Sequence, residues 1–377
     1  MKKFLTVFLP AQNVHLYKDV GMIPYCIARF YKYQSAILYA SPNQLKKDDY
    51  YEKFVKLIHI KTNNKFLMWI KLLRFVLKNA KNYNVINFYH LSILNFPIPI
   101  LFKLCNPKCC IYLKLDLDEV NFSNLINRKF NLKRNVINFI KKVFVNCIVD
   151  LISVETKLYY DTLSKVSIFK NKLIYLPNGI LIEKDFHEVK KENIILTVGR
   201  IGTIQKNNEL LVEAITHIPF DKLKEWKVYF VGPVEKRFLK YLDVIFDQKP
   251  WLKDILIIIG NVEEKDILYR IYAKSEIFCL TSRWEGFPLV VPEAMYFGNY
   301  VITTDFIAAY DLTDNQRVGK IIESENVNML AESLQEAIED IKSINIKKEQ
   351  AQEYITQCFM WNDIVKKISD FTDEERK

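Results

Sequence analysis

Two glutamates, Glu285 and Glu293, stand at the ends of the apolar segment EGFPLVVPE. The apolar run and the glycine that follows it, Gly298, predict a helix over about residues 289–297. Glu285 then precedes the helix, and Glu293 lies about one turn inside it. Carboxylates in these positions can accept hydrogen bonds from hydroxyl groups. The alternative interpretation is a capping glutamate followed by a surface glutamate.

The start of this helix is also a place where an anion can bind. The backbone N–H groups before and at its start, those of Gly286, Phe287 and Leu289, have no partner within the helix, and the helix dipole favours negative charge there. Two carboxylates cannot themselves bind phosphate. A sugar nucleotide carries both phosphates and hydroxyl groups, so it fits this combination of groups.

A second loop adds two cations upstream. The segment LTVGRIGTIQKNNELLVEAI predicts a strand that ends at Gly199 and a helix that starts near Asn208, with Arg200 and Lys206 between them. A guanidinium offers a planar fork of donors and an ammonium offers a point charge, and together they suit a diphosphate. A solvated loop with two surface cations is the alternative.

The sequence predicts that the elements that position these residues form two parallel sheets. The chain has 377 residues, enough for two domains, and half of them are apolar. The predicted strands are FLTVFLP, QSAILYA, LIHI, NVINFYH, KCCIYLKLDL, DLISVE and KLIYLPNG, and then NIILTVG, KVYFVG, ILIIIG, EIFCL and YVITT. Helical segments lie between most of them, notably 65–80 and 133–148, which predicts an α/β fold. The polar segment 183–193 is interpreted as the linker, and ligands are expected outside the carboxyl ends of the strands.

In their order, these segments resemble the retaining glycosyltransferases of family 4, which have the GT-B fold. The resemblance rests on VGR, QKN and LLVEA, followed by VYFVG, IIIGNV, EIFCLTSRWEGFPLVVPEA and GNYVITTD, and it covers residues 194–310. It implies two Rossmann-like, doubly wound domains that face each other across a cleft. An acceptor domain would span residues 1–186 and a donor domain residues 190–355. Residues 356–377 would return to the first domain as a last helix.

The resemblance also implies roles for the residues singled out above. Arg200 and Lys206 would hold the donor diphosphate and stabilise the leaving group. Glu285 would contact the transferred sugar, and Glu293 would accept from the nucleotide ribose. The implied reaction moves a hexosyl-type sugar from a nucleotide-diphosphate sugar, with UDP favoured over GDP, to a saccharide or lipid-linked acceptor. It belongs to the synthesis of bacterial surface polysaccharide or glycolipid.

Backbone groups complete the implied donor site. The N–H groups of Gly286, Phe287 and Leu289 would line the sugar and the phosphates. Val262 would border the base, and Gly21, on the loop after the first strand, would let a phosphate approach the backbone. No cofactor and no metal are expected, because the cations and the helix N–H groups can stabilise the leaving phosphate.

The sequence departs from the family pattern in the first domain, where many members carry a histidine. The comparable strand, IYLKLDLDE, offers Lys114, Asp116 and Asp118 instead, and Asp116 is the catalytic candidate. His90, after NVINFYH, is a further candidate. The Asp-x-Asp pattern also admits a metal site, as in the other large glycosyltransferase fold. That fold has one sheet domain and does not account for the motifs of the second half.

The charge of the chain is divided unevenly. Residues 1–189 contain 29 Lys and Arg against 13 Asp and Glu, a net charge of +16, whereas the remainder has −6. Cations alternate with apolar residues over 65–81, with Lys71, Arg74 and Lys78 on one helical face, and over 127–144. These faces suit an anionic membrane surface, although ordinary solvated helix faces would show the same pattern of residues.

Two alternative functions remain. A basic nucleic-acid-binding or membrane-binding protein without catalysis would explain the charge but would not explain Glu285 and Glu293, so no nucleic acid is expected. An epimerase of the same fold is the other alternative.

The remaining features concern the compartment. The seven cysteines are scattered and are interpreted as reduced thiols, although CNPKCC leaves a zinc site as an alternative. The N-terminal MKKFLTVFLPAQN resembles a signal peptide but is interpreted as a strand. No segment reaches the ~20 uninterrupted apolar residues of a membrane span. We therefore expect a cytoplasmic protein, peripheral to the inner face of the cell membrane.

Overall fold

The structure is a computed structural model that describes residues 1–9, 11–45, 49–117, 122, 132–184, 186 and 188–374. The chain forms two compact units: unit 1 consists of Met1–Gly179 and Trp361–Lys377, and unit 2 of Ile180–Met360. The sequence placed the boundaries at 186/190 and 355/356. They differ because Ile180 and Ile182, which precede the polar segment, already pack into the core of unit 2.

Unit 1 is built on a seven-stranded parallel sheet. Its strands are β1 (Lys3–Val7), β2 (Gln34–Ser41), β3 (Val55–Lys61), β4 (Val85–Tyr89), β5 (Cys110–Leu115), β6 (Leu151–Val154) and β7 (Leu173–Tyr175). They are ordered β3-β2-β1-β4-β5-β6-β7, and each pairs in parallel with its neighbours. The N-terminal apolar run therefore lies at the middle of a sheet, as predicted for a strand.

Helices connect these strands. In the described part of unit 1 before β7 they are α1 (Asn13–Leu16), α2 (Asp19–Tyr31), α3 (Asp49–Glu52), α4 (Lys65–Asn79), α5 (Pro97–Cys105), α6 (Leu132–Cys147) and α7 (Lys157–Leu163). Short 3-10 turns occupy Ala80–Asn82 and Ile93–Asn95. Right-handed crossovers place α4, α5 and α6 on one face of the sheet and α2 and α3 on the other. Asn64 fixes the start of α4, because its side chain accepts from the backbone N–H groups of Phe66 and Leu67.

Unit 2 repeats the pattern with six strands. They are β8 (Glu192–Val198), β9 (Lys227–Val231), β10 (Leu256–Gly260), β11 (Ser275–Leu280), β12 (Tyr300–Thr304) and β13 (Lys320–Ile322), in the order β10-β9-β8-β11-β12-β13. All pairs are parallel. Sequence reasoning missed β13, which has three residues and is too short for a recognisable apolar run.

The helices of unit 2 surround this sheet. They are α8 (Asn208–His217), α9 (Phe220–Leu223), α10 (Lys236–Gln248), α11 (Lys265–Lys274), α12 (Val290–Tyr296), α13 (Ile307–Leu312), α14 (Val327–Glu339) and α15 (Ile341–Cys358), with a 3-10 turn at Pro250–Asp254. The strands are apolar on both faces because helices cover both, and two buried clusters form the core.

The last helix, α16 (Trp361–Glu374), belongs to unit 1 and packs on α2. Tyr31 Oη donates to the carbonyl of Asn362 at 2.9 Å, and the hydroxyls of Tyr33 and Thr372 share a hydrogen bond of 2.7 Å. In the part of the chain that the structure describes, no helix is both long enough and apolar enough to cross a membrane.

Both sheets reverse their strand order at one point. In unit 1 this point lies between β1 and β4, and in unit 2 between β8 and β11. Loops that leave neighbouring strands in opposite directions open a crevice at the carboxyl edge, which is where open α/β sheets bind ligands. Each unit therefore has one expected binding edge.

Candidate active site

The crevice of unit 2 brings together the residues that the sequence singled out. Arg200 and Lys206 lie on the loop between β8 and α8, and Glu285 lies on the loop between β11 and α12. Because β8 and β11 pair directly, these two loops are neighbours. Arg283 N donates to the carbonyl of Gln205 at 2.8 Å, which joins the loops through their backbones.

An ion pair between Lys206 and Glu285 lies at the centre of this crevice. Lys206 Nζ contacts Glu285 Oε1, and the two side chains are 14% and 9% exposed. Ser282 Oγ donates to the same carboxylate oxygen at 2.6 Å. The pair is thus largely shielded from water, and the attraction between its charges is therefore stronger than that of an exposed ion pair.

Gln205 connects this pair to Arg200. Its Nε2 donates to Glu285 Oε2 at 3.4 Å and to the carbonyl of Trp284 at 2.9 Å, and its Oε1 accepts from Arg200 Nη2 at 2.7 Å. Arg200 itself is exposed. Two cations, an amide and a carboxylate therefore form one chain of contacts at the carboxyl edge of the sheet.

The backbone beneath these side chains is held by buried hydroxyls. Thr281 Oγ1 donates to the carbonyl of Lys206 at 3.0 Å, and Thr304 Oγ1 donates to the carbonyl of Ser282 at 2.5 Å. Both threonines are fully buried. These bonds fix the two loops to the strand ends, and so the positions of Lys206 and Glu285 do not depend on surface contacts.

Glu293 lies in the first turn of α12, as predicted, with Leu289 as the N-cap and Gly298 after the last turn. Tyr272 Oη donates to Glu293 Oε2 at 3.3 Å. Desolvation raises the pKa of Glu293 to about 7, although Lys265 and the Tyr272 hydroxyl oppose the shift. A carboxyl group with a pKa near neutrality is half protonated under ordinary conditions, and hydroxyl donors from a ligand would favour its ionised form.

The backbone before α12 is open at one position. A Cβ at Gly286 would meet no atom within 4 Å, whereas Phe287 is half-buried and contacts Phe359, with ring centroids 5.8 Å apart. The open space at Gly286 is compatible with a ligand that approaches the backbone. Val262 follows β10, three residues before α11 begins at Lys265, and is half-buried against the core of unit 2.

Gly21 is not where the sequence placed it. It was expected on the loop after the first strand, but it lies inside α2, whose N-cap is Lys18. A Cβ there would lie 2.1 Å from the carbonyl oxygen of Leu16, so close packing against the end of α1 requires glycine. Gly21 is buried, and its carbonyl accepts from Tyr51 Oη at 2.9 Å.

In unit 1, Lys114 and Asp116 have different environments. Lys114 is fully buried at the end of β5, where Glu155 Oε1 lies 3.0 Å and Asn178 Oδ1 3.2 Å from its ammonium group. Asp116 follows the strand and is exposed, and His90, after β4, is also exposed. Asp118 lies outside the described residues. No cluster of potential metal ligands occurs in the parts of either unit that the structure describes.

Sequence reasoning missed four contributors to these sites: Gln205, Ser282, Tyr272 and Glu155. Ser282 stands three residues before Glu285 and Gln205 immediately before Lys206, so proximity to a recognised residue was a usable signal. Tyr272 and Glu155 reach their partners only through the packing of separate elements, and nothing in the local sequence indicates it.

Comparisons with known proteins agree with this architecture. Residues 181–356 match the family model described as glycosyl transferases group 1. A Campylobacter jejuni N-acetylgalactosaminyltransferase, named for a diphospho-undecaprenol-linked saccharide acceptor, is 25% identical over 340 residues, which cover 87% of this chain and 82% of that protein. An Escherichia coli galactosyltransferase, named for UDP-galactose and a diphosphoundecaprenol-linked sugar, is 27% identical over 216 residues, 54% of this chain and 53% of that protein.

Solved structures show the same fold. The HepE protein of Anabaena, solved with UDP, covers 99% of this chain and 100% of its own at a TM-score of 0.69 and 15% identity. A glycosyltransferase from Rickettsia africae covers 100% of this chain and 99% of its own at a TM-score of 0.72 and 17% identity. The two parallel sheets described above are thus the two sheets of the GT-B fold.

Proposed function

We propose that this chain, whose residues 181–356 match the family model of glycosyl transferases group 1, moves a hexosyl-type sugar from a UDP-sugar to a saccharide carried on a lipid diphosphate, with retention of anomeric configuration. The product would serve the synthesis of bacterial surface polysaccharide or glycolipid. The Lys206–Glu285 ion pair at the crevice of unit 2 is the observation that carries this proposal.

The ion pair supplies both kinds of group that a sugar nucleotide needs. An arriving diphosphate competes with Glu285 for Lys206, because a phosphate carries more negative charge than a carboxylate. Glu285, released from the lysine, can then accept a hydrogen bond from a hydroxyl of the transferred sugar. Arg200 exchanges its contact with Gln205 for a second phosphate contact.

The same cations stabilise the leaving group during the reaction. The bond between the anomeric carbon and the diphosphate oxygen breaks, and negative charge develops on the phosphate. Arg200, Lys206 and the N–H groups before α12 are placed to stabilise it. The acceptor oxygen bonds to the anomeric carbon on the face that the phosphate leaves, and its proton passes to a leaving phosphate oxygen. These groups suffice without a metal ion, so we propose metal-independent transfer.

The nucleotide end is assigned to Glu293 and Val262. Glu293, in the first turn of α12, would accept from the ribose hydroxyls, and Val262, after β10, would contact the base. UDP is favoured because the E. coli relative is named for UDP-galactose and the Anabaena structure was solved with UDP.

A lipid-linked acceptor is supported by one face of unit 1. The helices α4, α5 and α6 leave large apolar side chains exposed beside lysines and an arginine. The exposed apolar residues are Phe66, Leu67, Leu73, Leu77, Leu104, Val136, Phe139, Ile140 and Val143. The exposed cations of this surface, which we name the basic apolar face, include Lys65, Arg74, Lys78 and Lys142. We propose that this face lies on the anionic cytoplasmic surface of the cell membrane, each cation near the surface adding about 1 kcal/mol.

Donor hydrolysis tests the proposal. Wild type is incubated with a panel of UDP- and GDP-sugars in EDTA, beside Glu285→Ala and Lys206→Ala. Lys222→Ala, which removes an exposed ion pair with Glu339, is the matched control. We expect one UDP-sugar to be turned over in EDTA, both site variants to lose turnover and the control to keep it. Interconversion of the sugar without release of UDP would instead indicate an epimerase. Turnover that EDTA abolishes would contradict metal independence.

A further inference from the structure

The two loops that meet at the crevice of unit 2 are joined by two kinds of contact. The first kind is made by the groups that would bind the donor: Lys206 pairs with Glu285, and Gln205 connects Glu285 to Arg200. In the proposed function an arriving diphosphate takes over both cations, so these contacts are lost when the site is filled. Other contacts must then hold the loop that carries Lys206.

Arg283 makes contacts of the second kind, which an arriving ligand need not break. It lies on the loop between β11 and α12, shortly before Glu285. Its Nη1 donates to the carbonyl of Ile204 at 2.6 Å, and its backbone N–H donates to the carbonyl of Gln205 at 2.8 Å. Both carbonyls stand directly before Lys206 in the chain. Arg283 therefore holds the backbone that carries the lysine.

A third loop holds Arg283 in turn. Glu325 lies between β13 and α14, and its carboxylate oxygens accept from Nε of Arg283 at 2.5 Å and from Nη2 at 3.3 Å. The same carboxylate accepts from Asn207 Nδ2 at 3.3 Å. All three guanidinium nitrogens of Arg283 are thus in use, in a forked geometry that a lysine cannot reproduce. We call Arg283, Glu325 and Asn207 the loop clamp.

Two members of the loop clamp have a left-handed backbone. The φ angle is +46° at Asn207 and +61° at Glu325. Asparagine adopts this region several times more often than most residues, whereas a glutamate there is uncommon. Strained backbone of this kind persists where the surrounding contacts impose it, and such positions cluster at functional sites.

Stability alone does not account for a glutamate at this position. The side chains of Arg283 and Glu325 are 34% and 55% exposed, and exposed ion pairs contribute little because solvent screens their charges. The left-handed backbone opposes the contribution that remains. The forked contact does supply orientation, because it fixes the guanidinium and the carboxylate in one relative position.

We propose that the loop clamp holds residues 204–207 in place while Lys206 changes partner from Glu285 to the donor diphosphate. The three residues are positioning residues, which act through Lys206. This inference rests on the proposed function, since it concerns the step in which the diphosphate enters. A displacement of ~1 Å can cost about a hundredfold in rate, so a loop that shifts when its ion pair breaks would transfer sugar slowly.

Two variants of Glu325 separate positioning from stability. Glycine and asparagine both adopt a left-handed backbone more readily than glutamate, and neither keeps the carboxylate. Glu325→Gly and Glu325→Asn should therefore melt within about 3 °C of wild type. Donor turnover and the affinity for UDP should nevertheless fall about tenfold or more. Arg283→Lys, which keeps the charge and loses the fork, should show a similar loss.

Calorimetric titration with UDP shows whether the loop clamp acts through Lys206. In the Lys206→Ala background, Glu325→Asn should weaken UDP binding by less than about twofold, because the group that the clamp positions is absent. Equal losses in both backgrounds would overturn the inference. So would a loss in Arg283→Lys that Glu325→Asn does not share, since Arg283 would then act on the ligand directly.

A matched control lies at the other edge of the same sheet. Asp314, on the loop before β13, also has a left-handed backbone, with a φ of +47°, and pairs with Arg317 Nε at 2.6 Å. Asp314→Gly removes the same kind of ion pair and should leave UDP affinity and donor turnover unchanged. A loss as large as that of Glu325→Gly would reject the loop clamp, because it would assign the effect to the general stability of unit 2.

Hydrogen exchange keeps the two proposals apart, because it needs no ligand. In the free protein, the backbone amides of residues 203–207 should exchange at least severalfold faster in Glu325→Gly than in wild type or Asp314→Gly. If no UDP-sugar is hydrolysed and UDP does not bind, the proposed function fails, but faster exchange in this segment would still support the loop clamp. Unchanged exchange would reject the loop clamp whatever the donor assays show.

Discussion

The carbonyl oxygen of Gly199 lies where the side chain of residue 232 would begin: a Cβ built at Gly232 is 1.9 Å from that oxygen. Gly199 follows β8 and precedes Arg200, and Gly232 follows β9 with a φ of +131°. The loop that carries Arg200 and Lys206 therefore rests against the end of the neighbouring strand without an intervening side chain.

Gly232→Ala should destabilise unit 2 and displace this loop. Both the clash with backbone and the positive φ oppose a side chain, and we expect a loss of about 2 kcal/mol together with reduced donor turnover. Chemical denaturation followed by tryptophan fluorescence measures the first effect. An alanine variant as stable as wild type would show that the two strand ends separate easily.

Gly286→Ala should leave the stability almost unchanged but lower the turnover. Nothing within 4 Å of the new methyl group opposes it, so the stability should change by less than about 0.5 kcal/mol. If the sugar and the phosphates approach this backbone, turnover should fall at least tenfold. Normal turnover in this variant would show that the donor does not bind against the backbone at the start of α12.

Glu285→Gln should lower donor turnover by about a hundredfold to a thousandfold, the range seen when one preorganised polar group is removed. Glutamine keeps the volume and can still accept from Ser282, but it cannot hold Lys206 by charge. The measurement is the initial rate of UDP release at saturating donor. A variant with wild-type kcat would show that Glu285 does not take part in the reaction.

The affinity for UDP should fall as the pH drops below 7. Burial raises the pKa of Glu293 to about 7, and the ionised carboxylate is the better acceptor for ribose hydroxyls. The limit is about tenfold per pH unit for one linked proton. Calorimetry at pH 6 and pH 8 measures it, and Glu293→Gln should flatten the difference. An equal pH dependence in the variant would assign it to another group.

The same pKa has the opposite effect on stability. Between pH 4.5 and 7 the folded protein binds more protons at Glu293 than the unfolded chain does, so this residue's contribution to stability falls as the pH rises. Glu293→Gln should therefore gain stability relative to wild type at pH 8 more than at pH 5. Thermal unfolding at the two pH values compares them.

Binding to vesicles tests the basic apolar face. Phe139→Ser and Phe66→Ser each remove an exposed ring from α6 or α4, and the double variant should bind vesicles of phosphatidylglycerol and phosphatidylethanolamine at least tenfold more weakly. Leu239→Ser, on α10 of unit 2, is the matched control for loss of an exposed apolar side chain. Equal binding of wild type and all variants to the vesicles would show that the basic apolar face does not contact the membrane.

The positions of the candidate residues of unit 2 could be predicted because these residues are local in sequence. Arg200, Lys206, Glu285 and Glu293 each follow a strand or begin a helix, and their strands are long apolar runs. Gly21 was misplaced because the sequence does not show how closely α1 and α2 pack. The partners of Lys114 were unpredictable for a related reason: Asp19, Glu155 and Asn178 come from three elements between 40 and 100 residues away, and only the sheet brings them together.

Because the C-terminal helix α16 belongs to unit 1, the two units complete their cores at different times during synthesis. Lys2 Nζ donates to the carbonyl of Thr372 at 3.0 Å and pairs with Asp373, across 370 positions of chain. Unit 2 is one continuous segment, so it can close its core as soon as Met360 has been made. Unit 1 begins first yet finishes last: its opening strands and α2 leave apolar surface uncovered until α16 is made. Throughout that interval the earliest part of the chain exposes apolar surface, which is the condition under which incomplete chains aggregate.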